Sequence, residues 1–153
     1  MTDIKDITIQ MQELKKIIDS LLYSTHYEEG EQLQITYNIN SPDDLQLMDE
    51  YKNILYKLEN IKYSLDYLKM PILFESKLKL RSDGRYGTID DRTYYTSGSP
   101  IEFLYKDEVY DYENQDYKQV TSWRSSRIEH NGNDYYIVGY SDVELEGLKV
   151  RIR

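Results

Sequence analysis

The chain contains no cysteine, only two histidines and only three prolines among its 153 residues. Without cysteine it can form no disulfide, no thiolate nucleophile and no cysteine-based metal site. No apolar run approaches the ~20 residues that a helix needs to cross a bilayer, and residues 1–25 carry alternating charges instead of a basic and then apolar signal segment. We therefore expect a cytoplasmic protein that does not bind membranes.

Recognisable catalytic sets are also missing. No serine lies in a G-x-S-x-G turn that could work with His26 or His130. The G-x-x-G spacing of Gly84 and Gly87 lacks the lysine and the strand-to-helix context of a phosphate-binding loop. We expect a protein that is not an enzyme, with no catalytic residues, no metal and no cofactor.

Acidic residues outnumber basic ones, 28 to 19, and the formal net charge is −9. Nucleic acid phosphates and anionic membranes require clusters of lysine and arginine on the protein that binds them. The charge balance therefore argues against direct nucleic-acid binding and predicts a basic protein partner.

Tyrosine is abundant, with 17 residues, and several of these lie in an acidic run at residues 105–117. The run holds five carboxylates and four tyrosines, so its burial would remove charges from water without partners. We predict a flexible, solvated hairpin loop. Tyrosine rings offer rigid contact area and carboxylates recognise lysine and arginine, which makes the run a candidate partner-binding site: Asp107, Glu108, Tyr110, Asp111, Tyr112, Glu113, Asp116 and Tyr117.

Residues 1–70 show apolar side chains at helical spacing. One stripe runs from Ile4 to Leu21 and another from Leu47 to Leu68, both with alternating separations of three and four residues. Ser41 and Pro42 are typical of a helix start, and Pro71 disfavours helix at Met70. The pattern predicts an antiparallel helical hairpin in which the two stripes cover each other, and it leaves open a homodimer through the helices. Residues 25–40 are predicted to form a short strand or an ordered loop.

After Pro71 the pattern changes to short alternating segments separated by turns. Strands are predicted near residues 77–81, 86–90, 93–96, 101–105, 119–130, 135–140 and 148–153, and Asn131-Gly132 is a strong hairpin signal. The tyrosines predicted to pack in the core of this half are Tyr86, Tyr95 and one of Tyr135 and Tyr136. The fold class is therefore α+β, with a helical hairpin in domain 1–70 and a small antiparallel β-barrel or sandwich in domain 71–153.

A second candidate surface lies in the β half and predicts a different function. Aromatic side chains can stack on bases while arginines bind phosphates. A small-barrel nucleic-acid-binding module would use Trp123, Arg124, Arg127, Arg151 and Arg153.

The C-terminal half also resembles a small family of domains of unknown function over roughly residues 72–153. The motifs that carry the resemblance are Gly84-Arg-Tyr, Thr96-Ser-Gly-Ser-Pro-Ile-Glu, Trp123-x-x-x-Arg-Ile-Glu-His130, Tyr135-Tyr-Ile-Val-Gly139 and Leu145-x-Gly-Leu-x-Val-Arg151. This family occurs on plasmids, integrative elements and phages of Gram-positive bacteria, so the resemblance implies a mobile-element context. In size and acidity the chain is similar to anti-CRISPR proteins that inhibit Cas9.

Charge, the acidic run and the family context together favour one hypothesis. The protein is expected to be a non-enzymatic inhibitor from a mobile genetic element that binds a basic surface of a DNA-handling enzyme. Cas9, or its complex with guide RNA, is the leading candidate partner, because Cas9 holds nucleic acid in positively charged channels.

Overall fold

The structure is a computed structural model that describes residues 3–27 and 33–153. It divides into two compact units, Met1–Met70 and Pro71–Arg153. Within the described ranges, neither helix has the combination of length and apolar character needed to span a bilayer.

The first unit contains helix α1 (Ile4–Ser24) and helix α2 (Pro42–Lys69). Asp3 caps α1 by accepting a hydrogen bond from the Lys5 N–H at 2.9 Å. Ser41 caps α2 by accepting from the Asp44 N–H at 3.2 Å, and Pro42 occupies the first turn. These side chains satisfy backbone donors that have no partner within a helix. The predicted start of α2 at Ser41 and Pro42 and its predicted end before Pro71 are confirmed.

The two helices run antiparallel. Ile18 and Leu22 near the end of α1 pack on Leu55 in the middle of α2, whereas Lys15, one turn earlier in α1, contacts Asp66 at 3.1 Å, further along α2. Hydrogen bonds to Asp19 and then to Asp66 raise the pKa of the Lys15 ammonium. The predicted helical hairpin is therefore confirmed.

The predicted packing of the stripes is only partly right. Ile18 and Leu65 are buried, and Leu58 packs against the cluster that contains Ile18. Most other stripe residues are exposed, Tyr51 among them. Leu22, Met48 and Leu55, which lie outside the predicted stripes, are buried instead. On each helix, the face that contacts the other helix is therefore slightly rotated from the predicted stripe.

Residues 33–40 form no strand. The Gln34 N–H donates to the Thr25 carbonyl oxygen at 3.1 Å, and the Asn38 N–H donates to the Asp44 carboxylate at 2.9 Å. The segment is therefore an ordered connection tied to both helices. Residues 28–32, the other part of the predicted strand or loop, lie outside the described residues.

The second unit is one antiparallel sheet of six strands. They are β1 (Phe74–Leu80), β2 (Tyr86–Thr88), β3 (Pro100–Asp111), β4 (Asp116–His130), β5 (Tyr135–Ile137) and β6 (Lys149–Ile152). Their order across the sheet is β2-β1-β6-β3-β4-β5, so the last strand lies between the first and the third.

This sheet is strongly curled into a nearly closed barrel, as predicted. The strands β2 and β5 are at opposite ends of the strand order, yet they lie close together. Burial raises the pKa of the Tyr86 hydroxyl on β2, and the nearby Asp134 carboxylate beside β5 raises it further. The core inside the curl consists of Leu78, Tyr95, Ile101, Phe103, Ile128, Ile137, Leu145 and Val150. Tyr86 and Tyr135 pack against its margin.

Two predictions about the strands are wrong. Residues 93–96 form no strand, and only Tyr94 makes an isolated bridge, to Gly87. The acidic run is not a flexible loop, because residues 105–111 belong to β3 and residues 116–117 to β4. A β ladder can hold acidic side chains when both of its faces are open to solvent, since backbone pairing does not require burial of the side chains.

Candidate partner-binding site

The long hairpin of β3 and β4 extends well beyond its neighbouring strands. Its ladder runs from Pro100 opposite Arg127 to Asp111 opposite Asp116. Strand β6 pairs with β3 only at Glu102 and Phe103, and β5 pairs with β4 only at residues 128–130. Residues 105–122, which we name the distal ribbon, are therefore a two-stranded arm, about 20 Å long at the rise of an antiparallel strand.

A tight turn of residues 112–115 closes the distal ribbon. The Asp111 carboxylate accepts hydrogen bonds from the Asn114 side chain at 2.8 Å and from the Glu113 N–H at 3.0 Å, and both lower its pKa. Gln115 takes a left-handed backbone conformation, with φ of 54°. The ionised Asp111 carboxylate therefore stabilises the turn itself.

Three tyrosines cluster at this closed end. The Tyr110 ring makes edge-to-face contacts with Tyr112 at 5.1 Å and with Tyr117, its cross-strand partner, at 5.3 Å between ring centroids. Their exposed fractions are 39% for Tyr110, 67% for Tyr117 and 86% for Tyr112. Such pairs hold their rings in a fixed arrangement, so the tip presents an ordered aromatic surface to solvent.

The carboxylates around this cluster differ in whether they already have a partner within the protein. Asp107 is bound to Arg124 at 2.6 Å on the other strand, and Glu108 accepts from the Gln119 side chain at 2.8 Å. Asp116 accepts from the Tyr117 N–H at 2.7 Å. The side chain of Glu113 projects from the turn without an ion pair to any residue that the structure describes. Glu108, Glu113 and Asp116 are thus the acids best placed to meet a cation.

The predicted site residues therefore fall into two groups. The structure brings together Tyr110, Tyr112, Tyr117, Glu108, Glu113 and Asp116 at the tip. It assigns Asp107 to an ion pair and Asp111 to the turn. The sequence could not separate these groups, because the separation depends on which residues face each other across the ladder.

The second candidate surface is divided by the alternation of side chains along β4. Trp123 and Arg127 lie on one side of the strand, and Arg124 lies on the other, where it reaches Asp107. The Arg127 guanidinium pairs with Glu129 at 3.0 Å. Arg151 stacks on the Trp123 ring at 4.5 Å, and both Arg151 and Arg153 bind Glu102. The five residues predicted for this surface do not share one face.

Glu102 and Lys149 were missed by the sequence reasoning. Glu102 is buried between Arg151 and Arg153, and Lys149 lies over Trp123 at 5.8 Å while it pairs with Glu75 at 2.6 Å. Only the insertion of β6 beside β3 brings these residues together, so no local sequence signal could have identified them. Among the described residues there is also no group of three acidic or histidine side chains able to hold a metal.

The fold and the site define a small α+β protein whose antiparallel barrel carries a projecting aromatic and acidic β-ribbon. Residues 77–152 match the family model described as Domain of unknown function (DUF5348). The match lies within the second unit and includes the whole distal ribbon. The comparison with curated proteins found no match, and neither did the comparison with solved structures.

Proposed function

We propose that the chain is a non-enzymatic inhibitor that uses the tip of the distal ribbon to bind a basic surface of a DNA-handling enzyme, with Cas9 as the enzyme to test first. The observation that carries the proposal is the ordered cluster of Tyr110, Tyr112 and Tyr117, exposed at the end of an isolated ribbon and flanked by Glu108 and Glu113. Rigid aromatic side chains are typical energetic centres of protein interfaces.

The ribbon has the dimensions and charge for a nucleic-acid channel. A two-stranded β-ribbon is narrow enough to enter the major groove of DNA, so it also fits a protein channel of similar width. Carboxylates on its tip would pair with the lysines and arginines that otherwise bind phosphates. Binding then excludes DNA by competition, and no chemical step is required of the inhibitor.

Charge reversal at the tip is the first test. We expect Glu108→Lys with Glu113→Lys to weaken binding to Cas9 loaded with guide RNA by at least about 100-fold, because like charges across an interface cost several kcal/mol. Inhibition of DNA binding and cleavage should fall in parallel. The matched control is Asp142→Lys with Glu144→Lys, which changes the net charge equally at exposed positions outside the ribbon.

Equal losses in the two variants would mean that only overall charge matters, and the ribbon would not be the binding site. If the unmodified protein neither binds nor inhibits Cas9 orthologues, Cas9 is not the partner. Wild-type binding should also weaken as ionic strength rises, because salt screens exposed charges.

Removal of the exposed rings is the second test. Tyr112→Ala with Tyr117→Ala should weaken partner binding by about 10- to 100-fold, the loss expected of two interface aromatics. The unfolding midpoint in urea should change little, because both rings are largely exposed. Tyr56→Ala, an exposed tyrosine on α2, serves as control and should bind normally. Undiminished binding by the double variant would place the contact elsewhere.

A nucleic-acid-binding module is the alternative function, and one observation favours it. Arg151 and Lys149 both lie over the Trp123 ring and form a cationic aromatic patch. Retardation of labelled single-stranded DNA or RNA at low salt, lost in Trp123→Ala, would support this alternative. An acidic ribbon that mimics nucleic acid should cause no retardation.

A further inference from the structure

The helical unit leaves a row of large aliphatic side chains uncovered. Their exposed fractions lie between 41% and 66%, although each is of a type that usually packs in a core. We name this set the exposed row: Leu14, Ile17 and Leu21 on α1, and Leu47, Ile54, Ile61 and Leu68 on α2.

Helix geometry places the whole row on one side of the hairpin. In α1, Leu21 immediately precedes the buried Leu22, and in α2, Ile54 immediately precedes the buried Leu55. The exposed row is therefore rotated from the buried contact by the same step, roughly 100°, and in the same sense on both helices. Two antiparallel helices are related by a two-fold axis that is perpendicular to both of them. Side chains that are rotated away from the helix–helix contact by the same angle and in the same sense therefore lie on the same side of the hairpin. The result is one continuous apolar surface.

We propose that a second copy of this chain covers the exposed row, so that two helical hairpins pack into a four-helix bundle. Residues recur at intervals of seven in Leu14 and Leu21, and in Leu47, Ile54, Ile61 and Leu68. This repeat is the one that side chains need to interlock between helices of a bundle. Because both helices of the hairpin carry it on the same side, the surface is self-complementary, as a two-fold interface requires.

The area of the exposed row also favours a second copy of the chain as its partner. Monomeric proteins rarely expose contiguous apolar patches larger than a few hundred Å². Seven half-exposed aliphatic side chains with their polar margin approach the roughly 800 Å² that each partner contributes to a standard stable interface. A single helix from another protein would bring one apolar stripe to a surface that has two, whereas a second hairpin brings a matching row on both of its helices.

Electrostatics give the dimer a distinctive salt dependence. Residues 1–70 contain 13 acidic and 7 basic residues, so two copies repel each other at low ionic strength and associate more tightly when salt screens the repulsion. Binding of the distal ribbon to a basic partner should show the opposite dependence. The two proposals can therefore fail independently.

The test is the mass of the full chain, measured by sedimentation equilibrium over a range of concentrations and at two salt concentrations. We expect a reversible dimer that is tighter at the higher salt. Ile54→Glu and Ile61→Glu should each raise the dissociation constant at least about 100-fold, because each buries a carboxylate in the apolar interface. The matched control is Tyr56→Glu, at an exposed residue 9 positions after Leu47 and thus on the side of α2 opposite the exposed row.

Circular dichroism shows whether the variants keep their helices, so loss of the dimer can be separated from unfolding. A chain that stays monomeric throughout overturns the proposal. A dimer that persists in both Ile54→Glu and Ile61→Glu, with helical content unchanged, also overturns it, because the interface would then lie elsewhere. A dimer that Tyr56→Glu disrupts equally would contradict it in the same way.

Discussion

Replacement of Glu102 by alanine is expected to destabilise the β unit by about 3–5 kcal/mol, the cost of removing one partner from a buried ion pair. The Glu102 side chain is only 4% exposed and binds two arginines of β6 at once. One oxygen accepts from the Arg153 Nε at 2.9 Å and the other pairs with Arg151, which lies directly opposite in the ladder. Without the carboxylate, two adjacent guanidinium groups would repel each other where water has limited access.

Urea unfolding of the full chain measures this effect. Glu102→Gln should cost less, because it keeps the shape and one acceptor oxygen. Replacing Glu102, Arg151 and Arg153 together by methionine should recover much of the loss, since buried ion networks can often be exchanged for apolar side chains. Glu75→Ala breaks the more exposed pair with Lys149 and should cost no more than about 1 kcal/mol. A similarly small loss for Glu102→Ala would show that the arginines find water or other acceptors.

Replacement of Phe103 by alanine should be equally damaging, at about 3–5 kcal/mol. Phe103 is fully buried and makes edge-to-face contacts with Tyr140 at 5.1 Å and Tyr105 at 6.2 Å between ring centroids. The alanine side chain would leave a cavity in the middle of the barrel core, because strands held in a ladder cannot collapse into it. Phe103→Leu, which fills most of the volume, should cost less.

The measurement is again the midpoint of urea unfolding, with Tyr112→Ala as the exposed aromatic control. That control should stay within about 0.5 kcal/mol of the unmodified protein. If Phe103→Ala unfolds at the unmodified midpoint, the core does not stabilise the fold as the structure indicates. One set of variants should therefore separate the two roles. The Phe103 variants change the free energy of unfolding, whereas the Tyr112 variant changes only partner binding.

The helical unit was predictable from the sequence wherever the responsible interactions are local. The Ser41 cap, the proline at Pro42 and the break at Pro71 act over one helical turn, and the structure confirms each boundary. The contact face was predicted less well, because leucine and isoleucine occupy two adjacent stripes. Which stripe faces the other helix depends on how the two helices rotate when they pack, and spacing alone does not specify this rotation.

The ribbon tip was also only partly predictable from the sequence. Its acidic and aromatic composition identified residues 105–117 as the candidate site, but predicted a loop, since strand propensity is low for aspartate and asparagine. Backbone pairing with residues of β4 overrides that local preference. The paired strands also place Asp107 in an ion pair with Arg124 and bring the Tyr117 ring against Tyr110.

Composition, charge, helix boundaries and most strand segments were thus determined by the sequence alone, because they depend on residue types and on neighbours within a few positions. The tertiary structure alone decided three further features. These are the insertion of β6 beside β3, the two-stranded extension of the β3–β4 hairpin, and the exposed row on the helices. Each depends on contacts between residues far apart in the chain, which form only when burial of the core selects one arrangement of the strands and helices.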